Sequence, residues 1–336
     1  MDVLNAFALL GNFLIIPGLT YGCQLALGAL GVTLIYGILR FSNFAHGETM
    51  AFGTMITILF TWLLQSWGFS LGPVPTALLA MPFGILGAIV LLLSSDRLVY
   101  KFYRKQKSTP VIYLIASLGV MFFYNGLIRF IIGPDDRIFT DGSRFIITAR
   151  EFKELTGLQQ GVAFKMTQGI TVIVTVICVA ALFWFLNKTR TGKSMRAYSD
   201  NEDLALLSGI NPDRVVMIAW IITAALATIA GTLYGLDKSF KPFTYLQILL
   251  PIFAAAIVGG LGSPIGAIAG GFVIAFSEVF VTFAYKRFLG YLLPESWAPE
   301  GLVQLLSTDY KFAVSFAILV IVLLVRPTGI FRGQTI

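Results

Sequence analysis

The stretch IPGLTYGCQLALGALGVTLIYGIL, residues 16–39, decides the fold. It carries no charge, and a run of about 20 mostly apolar residues is what a helix needs to cross a bilayer. The charge-free sequence extends back to Val3, and a second charge-free run covers residues 49–95. Across all 336 residues, 57% are hydrophobic and 12% are charged, with a mean hydropathy of +0.84. A soluble domain carries about 25% charged residues, so the chain is written for a membrane. No polar or Pro/Gly/Ser-rich linker divides it, and residues 1–336 read as one all-α polytopic membrane domain of about 8–10 transmembrane helices.

Nine segments fit spans: 16–39, 49–67, 75–95, 111–132, 168–187, 214–236, 244–260, 264–285 and 312–325. Residues 4–16 read as a surface helix or as half of a longer, broken first span. The net charge of +7 comes from short basic clusters between apolar runs, which suits membrane orientation better than nucleic-acid binding. DRLVYKFYRKQKS (96–108) and the segment 188–214 are basic, whereas 133–167 balances five bases with five acids. The first two are expected in the cytoplasm and the third, an external loop, outside. Counting spans then places the N-terminus outside and the C-terminus inside, in agreement with Arg326 and Arg332. The N-terminus lacks a basic region and a small-residue cleavage site, so no cleaved signal peptide is expected. Cys23 and Cys178 lie in apolar runs and read as small buried hydrophobes.

Glycine is abundant, 33 residues, and Gly262, Gly266 and Gly270 recur on one helix face, where a neighbouring backbone could come close. VGGLGSPIG (258–266) cannot continue a regular helix and reads as a broken or re-entrant segment. The second irregular stretch is SNFAHGETM (42–50), which holds the single histidine of the chain. An ionisable residue at membrane depth is a functional candidate. His46 and Glu48 can hold a helix start or a break together, with Ser42 or Asn43 as N-cap, or they can line a gate. The pathway or gate candidates are Asn43, His46, Glu48, Gly259, Gly260, Gly262 and Ser263.

No enzyme site is persuasive. There is no phosphate-binding loop of the GxxxxGK[ST] type and no nucleophile elbow, and one histidine without nearby cysteines excludes most metal-site spacings. Residues 188–214 are too patterned for a plain connection. NEDLALLSGI (201–210) reads as a short amphipathic helix capped by Asp200 or Asn201, stopped at Gly209 and followed by Pro212. Its apolar side needs a partner, either the membrane surface or another protein.

DLALLSG (203–209) resembles the E-A-A-x-x-x-G coupling loop of ABC-importer permeases, with Asp for Glu and Leu for the first Ala. TGKSMRAYSDNEDLALLSGINPDRV (191–215), LGVTLIYGILRFSNFAHGETMAFG (30–53) and AAIVGGLGSPIGAIAGG (255–271) are similar to stretches of bacterial branched-chain amino-acid permeases. The resemblance covers roughly residues 18–285 and points to the first of two homologous permease subunits. It implies ABC-importer permease architecture in the bacterial inner membrane. The partners would be a second permease, two cytoplasmic ATPases and a periplasmic substrate-binding protein. ATP and Mg would be bound by the ATPases, with no cofactor and no metal in this chain. In that reading 188–213 is the cytoplasmic coupling loop and 195–211 the coupling helix. Gly192, Arg196, Asp203, Ala205, Gly209 and Ile210 would serve the ATPase contact, Gly209 by allowing a turn and close approach, Ala205 by keeping the face small, Arg196 and Asp203 by polar contacts. Related permeases handle urea, short amides or other amino acids. A stand-alone secondary transporter or channel, with His46 and Glu48 relaying protons, is the alternative from a different class; it would have no need of a docking helix.

Overall fold

The computed structural model describes residues 2–139, 141, 144–292, 301, 303–326 and 328–331; Arg332 and residues 140, 142 and 143 of the polar loop lie outside them. Among the described residues, eight helices are long and apolar enough to cross a membrane. The first joins α1 (Asp2–Leu10), a widened π-helical turn (Gly11–Ile15) and α2 (Ile16–Leu39). After it come α3 (His46–Ser66) and α4 (Ala77–Ser95), then a second π-helical turn (Asp96–Tyr100) that leads into α5 (Lys101–Lys105). α6 (Pro110–Ile132) precedes a polar region with a two-stranded antiparallel hairpin, β1 (Phe145–Ile147) and β2 (Phe164–Lys165), enclosing α7 (Ala149–Thr156). α8 (Met166–Lys188) leads to two short helices, α9 (Arg190–Asp200) and α10 (Glu202–Leu207). The rest is α11 (Pro212–Asp237), α12 (Pro242–Gly259), α13 (Pro264–Thr282), α14 (Lys286–Leu292) and α15 (Lys311–Val325). The chain is an all-α polytopic membrane protein.

Three expectations are corrected. Residues 4–16 are not a surface helix but the first part of a longer first span, which is unbroken: the helix is continuous over 38 residues, about 57 Å at 1.5 Å per residue, and only widens at Gly11–Ile15. The basic segment 96–108 is not a simple loop. It continues α4 as one 29-residue helix, Ala77–Lys105, because the buried Asp96 carboxylate is neutralised two turns on by Arg104. The ninth span shrinks to α15, 15 residues or about 22 Å, short of the roughly 30 Å of hydrocarbon.

Contacts sort the connections onto two ends of the bundle. At one end, Arg40 donates to the Ser199 carbonyl and Lys101 pairs with Asp213 at 3.1 Å. At the other, Arg137 bridges to Phe240 through both backbone groups, Thr76 N donates to Asp141, and Asn5 accepts from the amides of Gln159 and Gln160. This division matches the alternation of the spans.

α2 is the axis. From Gly22 to Ile35 every residue is buried, beneath α8, α11, α12 and α13. Lipid tails are as apolar as leucine, so helices associate through close packing rather than through water exclusion. Small residues supply that closeness. A Cβ on Gly270 would lie 2.0 Å from the Ala255 carbonyl oxygen, and one on Gly259 would lie 2.0 Å from that of Gly266. Gly266 and Gly270 thus form the expected glycine face against α12, while Gly262 belongs to the turn. In α3, Thr49, Thr54, Thr57 and Thr61 each donate to the carbonyl four residues back. Their hydroxyls are thereby satisfied without water.

Replacing Gly270 by leucine is expected to abolish monodisperse protein in detergent extracts followed by size-exclusion chromatography, because overpacking at a backbone contact costs about 1–3 kcal/mol or more. Gly126→Leu, at a position with no atom within 4 Å of a built Cβ, should leave the profile unchanged.

Candidate functional site

Residues 40–45 are non-helical and run between α2 and α3, so their polar backbone must find partners inside the protein. Arg40 ends α2 in the left-handed conformation, φ 56°, its N–H still donating to Tyr36 O at 2.9 Å. Phe41 lies over Tyr113 and Tyr100, with ring centroids 5.1 and 5.3 Å away. The Asn43 side-chain oxygen accepts from Ala45 N at 3.1 Å and from the Tyr100 hydroxyl at 3.3 Å. Phe44 N donates to Ser117 Oγ at 3.2 Å. Asn43 therefore closes a turn before the helix, whereas the N-cap position of α3 is Ala45 and has no side-chain cap. That corrects the expectation that Ser42 or Asn43 caps α3.

His46 and Glu48 are both fully buried, and no hydrogen bond or ion pair joins them. The imidazole packs on Gly31 of α2, where a Cβ would lie 2.6 Å from Cε1, and its Nε2 has no hydrogen-bond partner. Glu48 points to α6, where Asn125 donates to Oε1 at 2.8 Å. The two side chains thus serve different helix contacts.

The break between α12 and α13 occupies residues 260–263. Gly260 and Gly262 have φ of 110° and 85°, conformations open to glycine at no Cβ cost. Ser263 caps α13 by accepting from Gly266 N at 3.2 Å, with Pro264 at the first helical position. The carbonyls left at the end of α12 are taken up by the C-terminal segment. Ile330 N donates to Val258 O at 2.8 Å and Phe331 N to Gly259 O at 3.1 Å. Gly259 and Gly260 are consequently sealed by backbone. Gly262 instead faces a cavity of about 190 Å³ bordered by Thr33, Gly37, Met195, Arg196 and Ser199. The structure therefore separates the pathway candidates into two places: Asn43, His46 and Glu48 among α2, α3 and α6, and Gly259 to Ser263 beside α9.

The segment after α8 is two helices rather than one over 195–211, because Asn201 (φ −153°, ψ 106°) interrupts it. The Asn201 side chain caps α10 by accepting from Leu204 N at 2.9 Å. Gly209, φ 80°, ends α10, and Ile210 N returns to the Ala205 carbonyl at 3.0 Å. Gly192 lies where α9 turns onto α8, and a Cβ there would lie 2.2 Å from Phe185 O. Ala205 is buried and Ile210 half-buried, while Arg196 and Asp203 are exposed. Leu204 and Leu207 are 61% and 86% exposed, so no described residue covers the apolar side of α10. Burial and the Glu202 carboxylate push the pKa of the Tyr198 hydroxyl up, which keeps it a donor to Glu202 at 2.6 Å.

One network was not anticipated from the sequence. Asp96 accepts from Trp220 Nε1 at 2.9 Å and from both terminal nitrogens of Arg104 at 2.9 and 3.1 Å. Tyr100 stacks on Trp220 at 5.3 Å and lies tilted against Phe41. A row of rings therefore connects α11, which follows α10 directly, to the unwound segment at 40–45. The sequence signal was a lone acid, Asp96, at the edge of an apolar run with arginine eight residues on.

Comparison with known proteins identifies the family of this chain. The family described as "Branched-chain amino acid transport system / permease component" matches residues 14–323. The chain is 32% identical, over 93% of its length and 92% of the relative's, to the high-affinity branched-chain amino acid transport system permease protein LivH of Salmonella typhimurium. It is 31% identical to a probable branched-chain amino acid transport permease of Methanocaldococcus jannaschii, over 96% and 93% of the two chains. With BraD of Pseudomonas aeruginosa the identity is 28%, over 94% of each. A solved structure, PsaBC from Streptococcus pneumoniae in complex with Fab, aligns over 98% of this chain and 93% of that one, with a TM-score of 0.44 and 14% identity. That likeness is too weak to argue from.

The contact between His46 and Gly31 can be tested by a double-mutant cycle read as thermal stability. His46→Ala is expected to lose about 2–3 kcal/mol by leaving a cavity. Gly31→Ala should destabilise the native protein but be near neutral in the His46→Ala background, a coupling of about 1 kcal/mol or more.

Proposed function

The chain belongs to the branched-chain amino acid transport permease family, and on that premise we propose how it works in its importer. It is the permease subunit, a multi-pass inner-membrane protein and a transport subunit rather than an enzyme. In the proposed assembly it pairs with a second, homologous permease to enclose the pathway for branched-chain amino acids. Two cytoplasmic ATPases bind ATP and Mg, and a periplasmic binding protein delivers the substrate.

The observation that carries the coupling assignment is the uncovered leucine face of α10. Exposed Leu204 and Leu207 stand on a helix fixed from behind by Ala205, by the Asn201 cap and by the Gly209 turn. A rigid, apolar knob at the end of a membrane bundle suits a groove in a soluble partner. Through Pro212, at the start of α11, a push on α10 reaches the Asp96–Trp220 contact and then the unwound segment. Arg196 and Asp203 stand on the exposed side, where polar contacts with the ATPase would form, and Gly192 sets the angle of α9. The relay reading of His46 and Glu48 loses support, because the two side chains do not meet.

The orientation follows from the basic residues. Arg97, Lys101, Arg104, Lys105, Lys107, Lys188, Arg190, Lys193 and Arg196 collect in the two connections at the end that bears α9 and α10, which supports placing that end in the cytoplasm. The N-terminus is then outside, the hairpin region at 133–165 faces the binding protein, and α15 returns the chain to the cytoplasm.

Two measurements check these proposals. Leu207→Asp should leave folding within about 0.5 kcal/mol of native, as expected for an exposed site, yet abolish co-purification of the ATPases and leucine uptake. Undiminished ATPase association would refute the coupling role. It is preferred to Gly209→Glu, which also strains a positive φ. In a background with Cys23 and Cys178 replaced, a cysteine at position 154 should react with a membrane-impermeant maleimide in intact spheroplasts, and one at position 208 only after permeabilisation. The reverse pattern would invert the topology.

A further inference from the structure

A second polar cluster lies at the opposite end of the bundle from α10, among α2, α11, α13 and α15. Glu278 sits one turn from the end of α13, 1% exposed. Its Oε1 accepts from the Ser315 hydroxyl of α15, and its Oε2 has no hydrogen-bond partner. The Tyr21 hydroxyl is turned to the same carboxylate, without reaching it in normal hydrogen-bond geometry. Lys311, the first residue of α15, makes no ion pair with any described side chain, that of Asp309 lying outside them. Its ammonium rests over the rings of Phe312 and Tyr21, 4.7 and 5.7 Å from their centroids. Pro17, Tyr21, Tyr234, Glu278 and Lys311 line a cavity of about 140 Å³. A neighbouring cavity of about 350 Å³ shares Tyr234, Lys238 and Lys311 with it.

Opposite charges that border one cavity and yet do not pair are an unusual use of a membrane interior. The two groups lie within electrostatic reach of each other but form no direct ion pair, so the desolvation of each is only partly offset. Asp237 differs, since Lys238 pairs with it at 3.6 Å, and Lys241 is engaged by Asp136. Glu278 and Lys311 remain open to a ligand carrying both signs. The geometry points to a binding site in this permease for a zwitterionic α-amino acid, its ammonium on Glu278 and Tyr21 and its carboxylate on Lys311. The phenyl faces of Tyr21 and Tyr234, with Pro17, give an aliphatic side chain an apolar wall. The inference rests on the amino-acid reading of the importer and deepens it. It places recognition of the charged groups in the permease itself, at the mouth through which substrate would enter.

The test uses the full chain in lipid nanodiscs and tritiated leucine, with unlabelled leucine, isovalerate and isoamylamine as competitors. Leucine should compete at least about tenfold better than isovalerate, which lacks the ammonium, or isoamylamine, which lacks the carboxylate. Glu278→Gln and Lys311→Met should each weaken leucine binding about ten- to a hundredfold. The first should spare competition by isovalerate and the second competition by isoamylamine. Lys311→Met leaves the Ser315 bond to Glu278 intact, so it reports even if Glu278→Gln assembles poorly. Native affinity for leucine in both variants, or no leucine binding by the native chain, overturns the site. Leucine uptake by the complete transporter separates the two levels. Normal uptake in both variants overturns the site and leaves the amino-acid reading standing, whereas uptake of urea but not leucine by the native transporter overturns both.

Discussion

A backbone amide in hydrocarbon has no water to turn to, and the two places where helix stops within this bundle are built around that fact. At residues 40–45 the groups released from helix are answered by Ser117, by the Asn43 side chain and by the last turn of α2. At residues 260–263 they are answered by Ser263 and by the chain's own segment 329–331, added as a short strap over Val258 and Gly259. The surrounding elements are placed accordingly. α6 must come close enough to present Ser117 and Asn125, and the extension of α4 must run past the membrane edge to present Tyr100. Irregular backbone thus dictates where regular helices stand.

Small residues then fix how close the helices come. Gly31 leaves room for His46, Gly259 and Gly266 meet backbone to backbone, and Gly270 receives Ala255. The same contacts that replace a hydrophobic driving force between helices also define the register in which α2, α12 and α13 pack. Among the cavities bordered by described residues, one lies beside Gly262 and Arg196 and another beside Glu278 and Lys311, toward opposite ends of the bundle. Between them the α2 segment from Gly22 to Ile35 is buried throughout.

Much of this was legible in the sequence, and the reasons are specific. Apolar runs of spanning length and their basic borders report a membrane solvent directly, so the spans and their alternation could be read without contacts. The four-residue spacing of Gly266 and Gly270 marked a real helix interface. The Asn201 cap and the Gly209 stop are local chemistry and were visible as such. What escaped was pairing across the chain. Asp96 looked like the first residue of a loop, because its partner Trp220 lies 124 positions away. Glu48 was read with its neighbour His46, although its partner is Asn125 on another helix. The opposition of Glu278 and Lys311 depends on α13 and α15 lying side by side, and no period in the sequence announces that.

The uninterrupted first helix has a mechanical meaning. Near its start, Asn5 and Asn12 hold the amides of Gln159, Gln160 and Ala163, and at its end Gly37 and Arg40 hold Ser199 of α9. One stiff rod is therefore clamped on both faces of the membrane. Along it the hydrogen-bond ladder widens at Gly11–Ile15 alone, at the clamp formed by Asn5 and Asn12 and clear of the packed core. A widened turn is where such a rod bends most readily, and the shaft beyond it carries the clamp on Ser199 at its tip, so that bending at the joint would swing that clamp as the end of a lever.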